Sequence, residues 1–332
     1  MNFICWLLTA LFSLSLFAAG AQELPAGDVG AELGRVHVLN TGWEDAIVLE
    51  SGGHYALIDA GEPGRGPYIA SYLQRLAGGG QVHLDFVIGT HSHVDHMGGF
   101  PYLLAHPDVT VGKAYVKRES GGSGHYRSFI AGCEDRGVDV IQDELDGLEL
   151  SLGSMKITLL NGAPLAGGVS NPESLCQLVE LGGRKALLAG DMVTGDKELG
   201  VLRQIGGGVD FLKVGHHGMG DSTGLLFAAM LRPKAAVYTN GSSWEADSHD
   251  VTLGVAKGAK SYHRLRMAGA AQYATTDNGG VLAVFGDQGM DVRAIQEFTK
   301  KDLPSIYELR GEVTLRPVAP PDDFWAFLLN LF

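Results

Sequence analysis

The sequence predicts an α/β protein in which β-sheets are covered by helices. Three observations lead there. From Gly34 onward, short β-rich runs alternate with runs whose apolar residues recur at helical spacing. At 332 residues and 45% hydrophobic, the chain can bury one large core or at most two domains. Its 48 glycines are scattered at turn positions, with no collagen-like period, no short repeat and no low-complexity linker.

Taken in order, Arg35–Leu39, Ala46–Glu50 and Tyr55–Ile58 read as strands, with Gly52-Gly53 as a hairpin turn. Tyr68–Leu76 carries Ile69, Tyr72, Leu73 and Leu76 at helical spacing and stops at Gly78-Gly79-Gly80. Phe86–Gly89 is a buried strand that runs into Thr90–His96, and Phe100–Ala105 begins a helix behind it. Val109–Val116 and Val138–Ile141 read as strands on either side of a helix at Tyr126–Arg136. Four strands follow, at Leu148–Leu152, Lys156–Leu160, Leu175–Leu181 and Ala186–Leu188. Helices at Lys197–Ile205 and Gly224–Leu231 then alternate with strands at Phe211–Val214 and Ala235–Tyr238. Asp250–Gly258 reads as helical, and Gln272–Thr275 with Val281–Phe285 as a hairpin around Asp277-Asn278-Gly279-Gly280.

Both ends stand apart. Met1 to Ala21 contains no Asp, Glu, Lys or Arg, is mostly apolar over Phe3–Phe17, and closes with Ala19-Gly20-Ala21, a small-x-small cleavage pattern. Residues 1–21 are expected to be a signal peptide, which makes the protein periplasmic or secreted. An uncleaved segment would anchor it to a membrane instead. No later run is apolar enough to span a bilayer. Residues 297–332, with a Pro-Pro pair and an aromatic end, read as an extension of unknown role. Cleavage would leave Cys133 and Cys176, which could pair or stay free, and no CxxC spacing marks a thiolate metal site. The net charge of −13 argues against a partner as long and anionic as nucleic acid. It leaves open a small phosphate-bearing substrate, because bound metals can supply positive charge locally.

The densest chemistry lies in Thr90-His91-Ser92-His93-Val94-Asp95-His96-Met97-Gly98-Gly99. Three histidines and an aspartate fall within six residues, directly after an apolar strand. Imidazole and carboxylate are the ligands that zinc and similar divalent ions prefer. On an extended segment His91 and His93 face the same way, while Asp95 and His96 enter a turn toward a second ion. Gly98-Gly99 is expected to let the backbone turn tightly beside them.

His-x-His-x-Asp-His after a strand resembles the hallmark of the metallo-β-lactamase superfamily. The resemblance covers roughly Gly34 to Val292 and implies a four-layer αββα sandwich, with the hydrolase domain over residues 22–296. Leu57-Ile58-Asp59-Ala60-Gly61 resembles the family's early strand, whose aspartate supports the site from behind. Leu187-Leu188-Ala189-Gly190-Asp191 resembles the strand that delivers a metal-bridging aspartate. Lys213-Val214-Gly215-His216-His217-Gly218 resembles the last metal motif. That motif and Asn171-Pro172-Glu173-Ser174-Leu175 are similar to the hydrolase domain of DNA-uptake competence proteins and to secreted phosphorylcholine esterases. In that branch the Asn-x-x-Ser-Leu segment stands where other members carry a third histidine for the first metal, so Asn171 and Ser174 are expected to line the site. Between Met97 and Asp191 only His106 and His125 occur. His106 is expected to be structural, and His125 is a weaker candidate for the site.

The resemblance implies two divalent ions, with zinc favoured and manganese compatible. One would be held by His91, His93 and Asp191, the other by Asp95, His96, Asp191 and His217, the histidine of the pair favoured as ligand. On a strand, neighbours face opposite ways, so His216 would instead meet the substrate or support the site from behind. Asp95, His216 and His249 are the candidate catalytic groups. His249 lies in Ala246–Val251 and is expected to protonate a leaving group or bind phosphate. The expected activity is an exported phosphodiesterase using a metal-bridging hydroxide as nucleophile. A lactone or β-lactam hydrolase, and a non-catalytic binding protein on the same fold, are the alternatives.

Overall fold

The computed structural model describes residues 28–120, 122–165, 171–240, 259–295 and 315–318. The expected signal peptide, the helix expected at Asp250–Gly258, His249 and most of residues 297–332 lie outside the described residues.

Two sheets carry the molecule. The first contains β1 (Glu32–Leu39), β2 (Ile47–Ser51), β3 (His54–Ile58), β4 (Val82–Gly89), β5 (Val109–Val116) and β6 (Asp139–Ile141). The chain then crosses into the second sheet, which takes β7 (Glu149–Leu152), β8 (Met155–Leu160), β9 (Cys176–Leu181), β10 (Arg184–Leu188), β11 (Phe211–Lys213), β12 (Ala235–Tyr238) and β13 (Ala271–Ala274). It finally returns as β14 (Gly280–Gly286) and β15 (Met290–Ala294), giving the orders β15-β14-β1-β2-β3-β4-β5-β6 and β13-β12-β11-β10-β9-β8-β7.

Helices cover the outer faces: α1 (Gly66–Leu76), α2 (Val94–Met97), α3 (Phe100–Ala105) and α4 (Gly124–Asp135) after strands of the first sheet, then α5 (Asp196–Ile205), α6 (Leu225–Leu231) and α7 (Ala259–Met267) after strands of the second. Three apolar clusters record the layers. Val36, Leu49, Ile58 and Ile88 meet Ile157, Val179, Leu188 and Phe211 between the sheets. Val48, Leu57 and Val87 pack under Ile69, Leu73, Phe100 and Phe129, and Leu187 and Leu212 pack under Val201, Phe227 and Leu265. Each strand alternates its faces, so both sheets bury one face centrally and the other under helices. The result is the four-layer αββα sandwich.

The second sheet corrects one expectation. Strands β13 and β14 do not pair as a hairpin; they belong to different sheets. Asp277-Asn278 lies instead in α8 (Thr275–Asn278), a single turn closed by Gly279 at φ 65°. Asn278 is turned inward, donating from Nδ2 to the Ala274 and Arg316 carbonyls, so the turn is tied to the protein interior rather than presented at a hairpin tip. Helix α7 was also not anticipated, because its AKSYHRLRM sequence buries few large apolar side chains, chiefly Tyr262 and Leu265.

The parallel strands position the site. β3, β4 and β5 run parallel, as do β10, β11, β12 and β13. Asp59 follows β3, the histidine string follows β4, Asp191 follows β10, His217 follows β11 and Thr239 follows β12. Ligand crevices of α/β sheets open at these carboxyl ends.

Candidate metal centre

Glycines bring the segments into contact. Gly98 and Gly99 have ordinary right-handed dihedrals, so the tight-turn expectation is corrected: the need is for space. A Cβ on Gly99 would stand 2.1 Å from the Ala60 carbonyl oxygen. Gly190 needs both freedoms, with φ +52° and a Cβ position 2.9 Å from Ser174 Cβ. These approaches lock the β3, β4 and β10 exits together.

The ligand atoms then converge. Asp95, His96, Asp191 and His217 form one group, and His91, His93 and Asp191 a second, with the ligand atoms of each within 4.8 Å of one another. Asp191 belongs to both. Its Oδ2 lies 3.2 Å from His96 Nε2, 3.3 Å from His217 Nε2 and 3.8 Å from His91 Nε2. Asp95 Oδ2 sits 3.2 Å from His217 Nε2 and 3.6 Å from His96 Nε2, and His91 Nε2 is 3.0 Å from His93 Nδ1.

The far side of the His96, His217 and His91 rings is held. His96 Nδ1 is 2.7 Å from Asp59 Oδ2, and that carboxylate also accepts from Thr90 N and Oγ1. His217 Nδ1 is 2.9 Å from Thr239 Oγ1 and 3.3 Å from Asp45 Oδ1. His91 Nδ1 faces Thr90 Oγ1 at 3.1 Å and Ser174 Oγ at 3.4 Å, while Ser174 Oγ accepts from Asp191 N. A proton kept on Nδ1 leaves the Nε2 lone pair for the site, the arrangement seen behind metal-ligating histidines.

Electrostatics point the same way. Burial would raise Asp191, but His217 and His96 pull it well below the carboxylate range. Burial would lower His217, but Asp191 and Asp45 outweigh it and raise it to about 10. Burial and the neighbouring His96 hold His91 well below its ordinary value.

The residues fit divalent metal. Buried His96 Nε2 and Asp191 Oδ1 have no hydrogen-bond partner, which is costly unless something else satisfies them. A third group, Asp45, Asp59 and His96, also has its ligand atoms within 4.8 Å of one another but is support rather than a site. The Lys213 ammonium pairs with Asp45 there, and His96 Nδ1 is turned to Asp59.

The structure brings together every expected ligand among the described residues and separates the histidine pair. His216 and His217 do not lie on a strand; they form a turn with φ 47° and 52°. The left-handed turn, not strand alternation, splays their rings. His217 joins the acidic cluster, whereas His216 Nδ1 is 2.9 Å from Asp221 Oδ1 and its Nε2 is 2.8 Å from Asn171 Nδ2. His106 ends α3 and accepts from Asp108 N, and His125 joins none of the clusters. Cys133 and Cys176 are buried free thiols.

Sequence reasoning missed Asp45, Lys213 as a buried cation, Thr239 and Trp43, whose ring meets His217 edge-on at 6.1 Å. A charged Glu44-Asp45 pair entering a strand was the one available signal.

Residues 44–239 match the family model described as the Metallo-beta-lactamase superfamily, and the chain belongs to that superfamily. It is 30% identical over 173 residues to ComE operon protein 3 of Bacillus subtilis, covering 51% of this chain and 21% of that protein. It is 26% identical over 225 residues to Recombination protein 2 of Haemophilus influenzae, covering 65% of this chain and 26% of that protein. These matches agree with the branch to which the Asn171–Leu175 and Lys213–Gly218 motifs pointed. The chain spans about a quarter or less of the length of these relatives. Solved structures with a similar fold include the metallo-β-lactamase fold protein YhfI from Bacillus subtilis, with TM-score 0.47, 14% identity and coverage of 73% of this chain and 96% of that one. Another is CmlA, a diiron β-hydroxylase from Streptomyces venezuelae, with TM-score 0.42, 17% identity and coverage of 63% and 45%. No helix among the described residues is long and apolar enough to cross a membrane.

Proposed function

We propose that this chain is an exported binuclear metal-dependent phosphodiesterase. The observation that carries the reading is the Asp191 carboxylate, shared between a His91–His93 set and an Asp95–His96–His217 set. His91, His93 and Asp191 would hold one ion, and Asp95, His96, Asp191 and His217 the other. Bound there, divalent ions (zinc by ligand type, manganese also compatible) supply an acidified water and positive charge for a developing oxyanion.

The chain's own groups then divide the work. Asp59, Asp45, Thr239 and Ser174 hold the imidazole rings in place. Asp95, with its side chain 26% exposed, stands on the open side of the cluster, where it can orient a water. His216, braced by Asp221 and Asn171, is a group that can turn its Nε2 hydrogen bond to a phosphoryl oxygen. His249 is proposed to protonate the leaving alkoxide, and His249→Ala should keep both metals while kcat/KM falls roughly 10²-fold or more. The charge of −13 favours a small or neutral-headed ester over long nucleic acid. Cleavage after Ala21 would leave Gln22 as the N-terminus of the exported protein, which intact-mass measurement of native material reads directly.

The activity is tested by purifying the protein, loading it with zinc or manganese, and assaying phosphodiester, lactone and β-lactam substrates side by side. Metal-dependent turnover of the phosphodiester is expected. Turnover of the lactone or β-lactam alone would replace the reading, and inertness toward all three would favour a binding protein.

A further inference from the structure

Among the described residues, large exposed apolar side chains concentrate on α6. Leu225, Leu226 and Met230 are 41%, 58% and 57% exposed, whereas Phe227, Ala228 and Leu231 on its other face are buried against the second sheet. Leu226 and Met230 are one turn apart, as are Leu225 and exposed Ala229, so they form one stripe. Single exposed leucines are ordinary; a contiguous apolar stripe marks a contact site.

The candidate occupant follows from where the described chain leaves the fold. Residues 315–318 lie beside β13, with Pro317 bridged to Tyr273 and Val318 N donating to the Gln272 carbonyl at 2.8 Å. Val318 is 1% exposed and sits in the same apolar cluster as Phe227 and Leu231 of α6 and Tyr262 and Leu265 of α7. The chain therefore leaves the fold at the β13 edge of the second sheet, with Val318 on the face that packs under α6 and α7. The sequence that follows places Asp322-Asp323 before Phe324, Phe327, Leu328 and Leu331, which fall at i, i+3, i+4 and i+7. Trp325, Leu329 and Phe332 widen that stripe, and Asn330 is the one polar residue between positions 324 and 332. Helix α7, which packs beside α6, carries exposed Lys260 in its first turn, opposite in charge to Asp322 and Asp323. Neighbouring helices stand roughly 8–10 Å apart, and an extended chain covers roughly 3.3 Å per residue. Residues 319–332 are long enough to pass α7 and reach α6.

We propose that residues 319–332 dock on the α6 stripe. The Phe324–Leu331 positions cover Leu225, Leu226 and Met230, and Asp322-Asp323 approaches Lys260 of α7. The docking needs no metal and stands apart from the proposed activity.

Cysteine cross-linking in the full chain tests this, with Cys5→Ser introduced and the native Cys133 and Cys176 already buried. Met230→Cys is combined in turn with Phe324→Cys, Leu328→Cys and Leu331→Cys, and with Ala326→Cys and Asn330→Cys as controls on the other face. Each variant is first checked for parental melting. Mild oxidation should join at least one face position to residue 230 within the monomer, about tenfold faster than the controls and independently of protein concentration, as a tethered partner requires. Equal rates on both faces, or disulfides only between chains, would overturn the proposal. So would binding to phosphatidylcholine vesicles through residues 319–332 with no cross-link to residue 230.

Discussion

Lys213 and Asp45 meet as a fully buried ion pair beneath the ligand shell. Burial would raise the Asp45 carboxyl, but the Lys213 ammonium and His217 hold it well below the carboxylate range. Removing one member of such a pair leaves an uncompensated charge in the interior. Lys213→Met is therefore expected to lower the unfolding free energy by about 3–5 kcal/mol, read by denaturant titration. A loss under about 1 kcal/mol would mean the pair contributes little. The neighbouring histidines should separate in a different measurement. His217→Ala is expected to lose metal, whereas His216→Ala keeps it and loses roughly 10²-fold or more in kcat/KM. The ligand string was legible because its chemistry is compressed into one turn of chain. Asp45, Thr239 and Lys213 were not, because each acts through a contact far away in sequence: Thr239 Oγ1 donates to Asp45 Oδ1 at 2.6 Å across 194 positions. The turn at His216-His217 was hidden for another reason. Nothing in two adjacent histidines announces a positive φ.

Among the elements, α5 and α6 are joined by one buried carboxylate. Glu198 is 3% exposed and accepts from Gly224 N, the residue that caps the start of α6, at 3.1 and 3.0 Å. Burial raises its carboxyl from 4.5 to about 7. The folded protein thus binds this proton more tightly than the unfolded chain does. Its stabilising contribution is complete below pH 4.5 and is lost as pH rises through about 7. Glu198→Gln keeps an acceptor for Gly224 but removes the charge, so it should stabilise the protein at pH 8 by on the order of 3 kcal/mol and leave it nearly unchanged at pH 4. Thermal melts of both proteins across that range check the sign, and parallel pH profiles would refute it. Most strands and helices could be placed from periodicity alone, as Val109–Val116 and Ala235–Tyr238 show. The expected β13–β14 hairpin failed because local turn chemistry cannot tell a hairpin from a crossover between sheets. Inward-turned Asn278 decided that, through partners at residues 274 and 316.

At the scale of the whole molecule, the two sheets exist to bring their carboxyl edges together. The first sheet supplies Asp59 and the histidine string, and the second supplies Asp191, His217 and Thr239. Asp191 is the only expected ligand that appears in both metal groups. It therefore carries the account. The direct measurement is metal content of purified protein by elemental analysis, parent against Asp191→Ala, with folding confirmed by far-UV circular dichroism. The parent should hold roughly two divalent ions per chain, and the variant should retain at most one and lose turnover. A folded Asp191→Ala protein with unchanged metal content and unchanged turnover would contradict the shared-carboxylate centre.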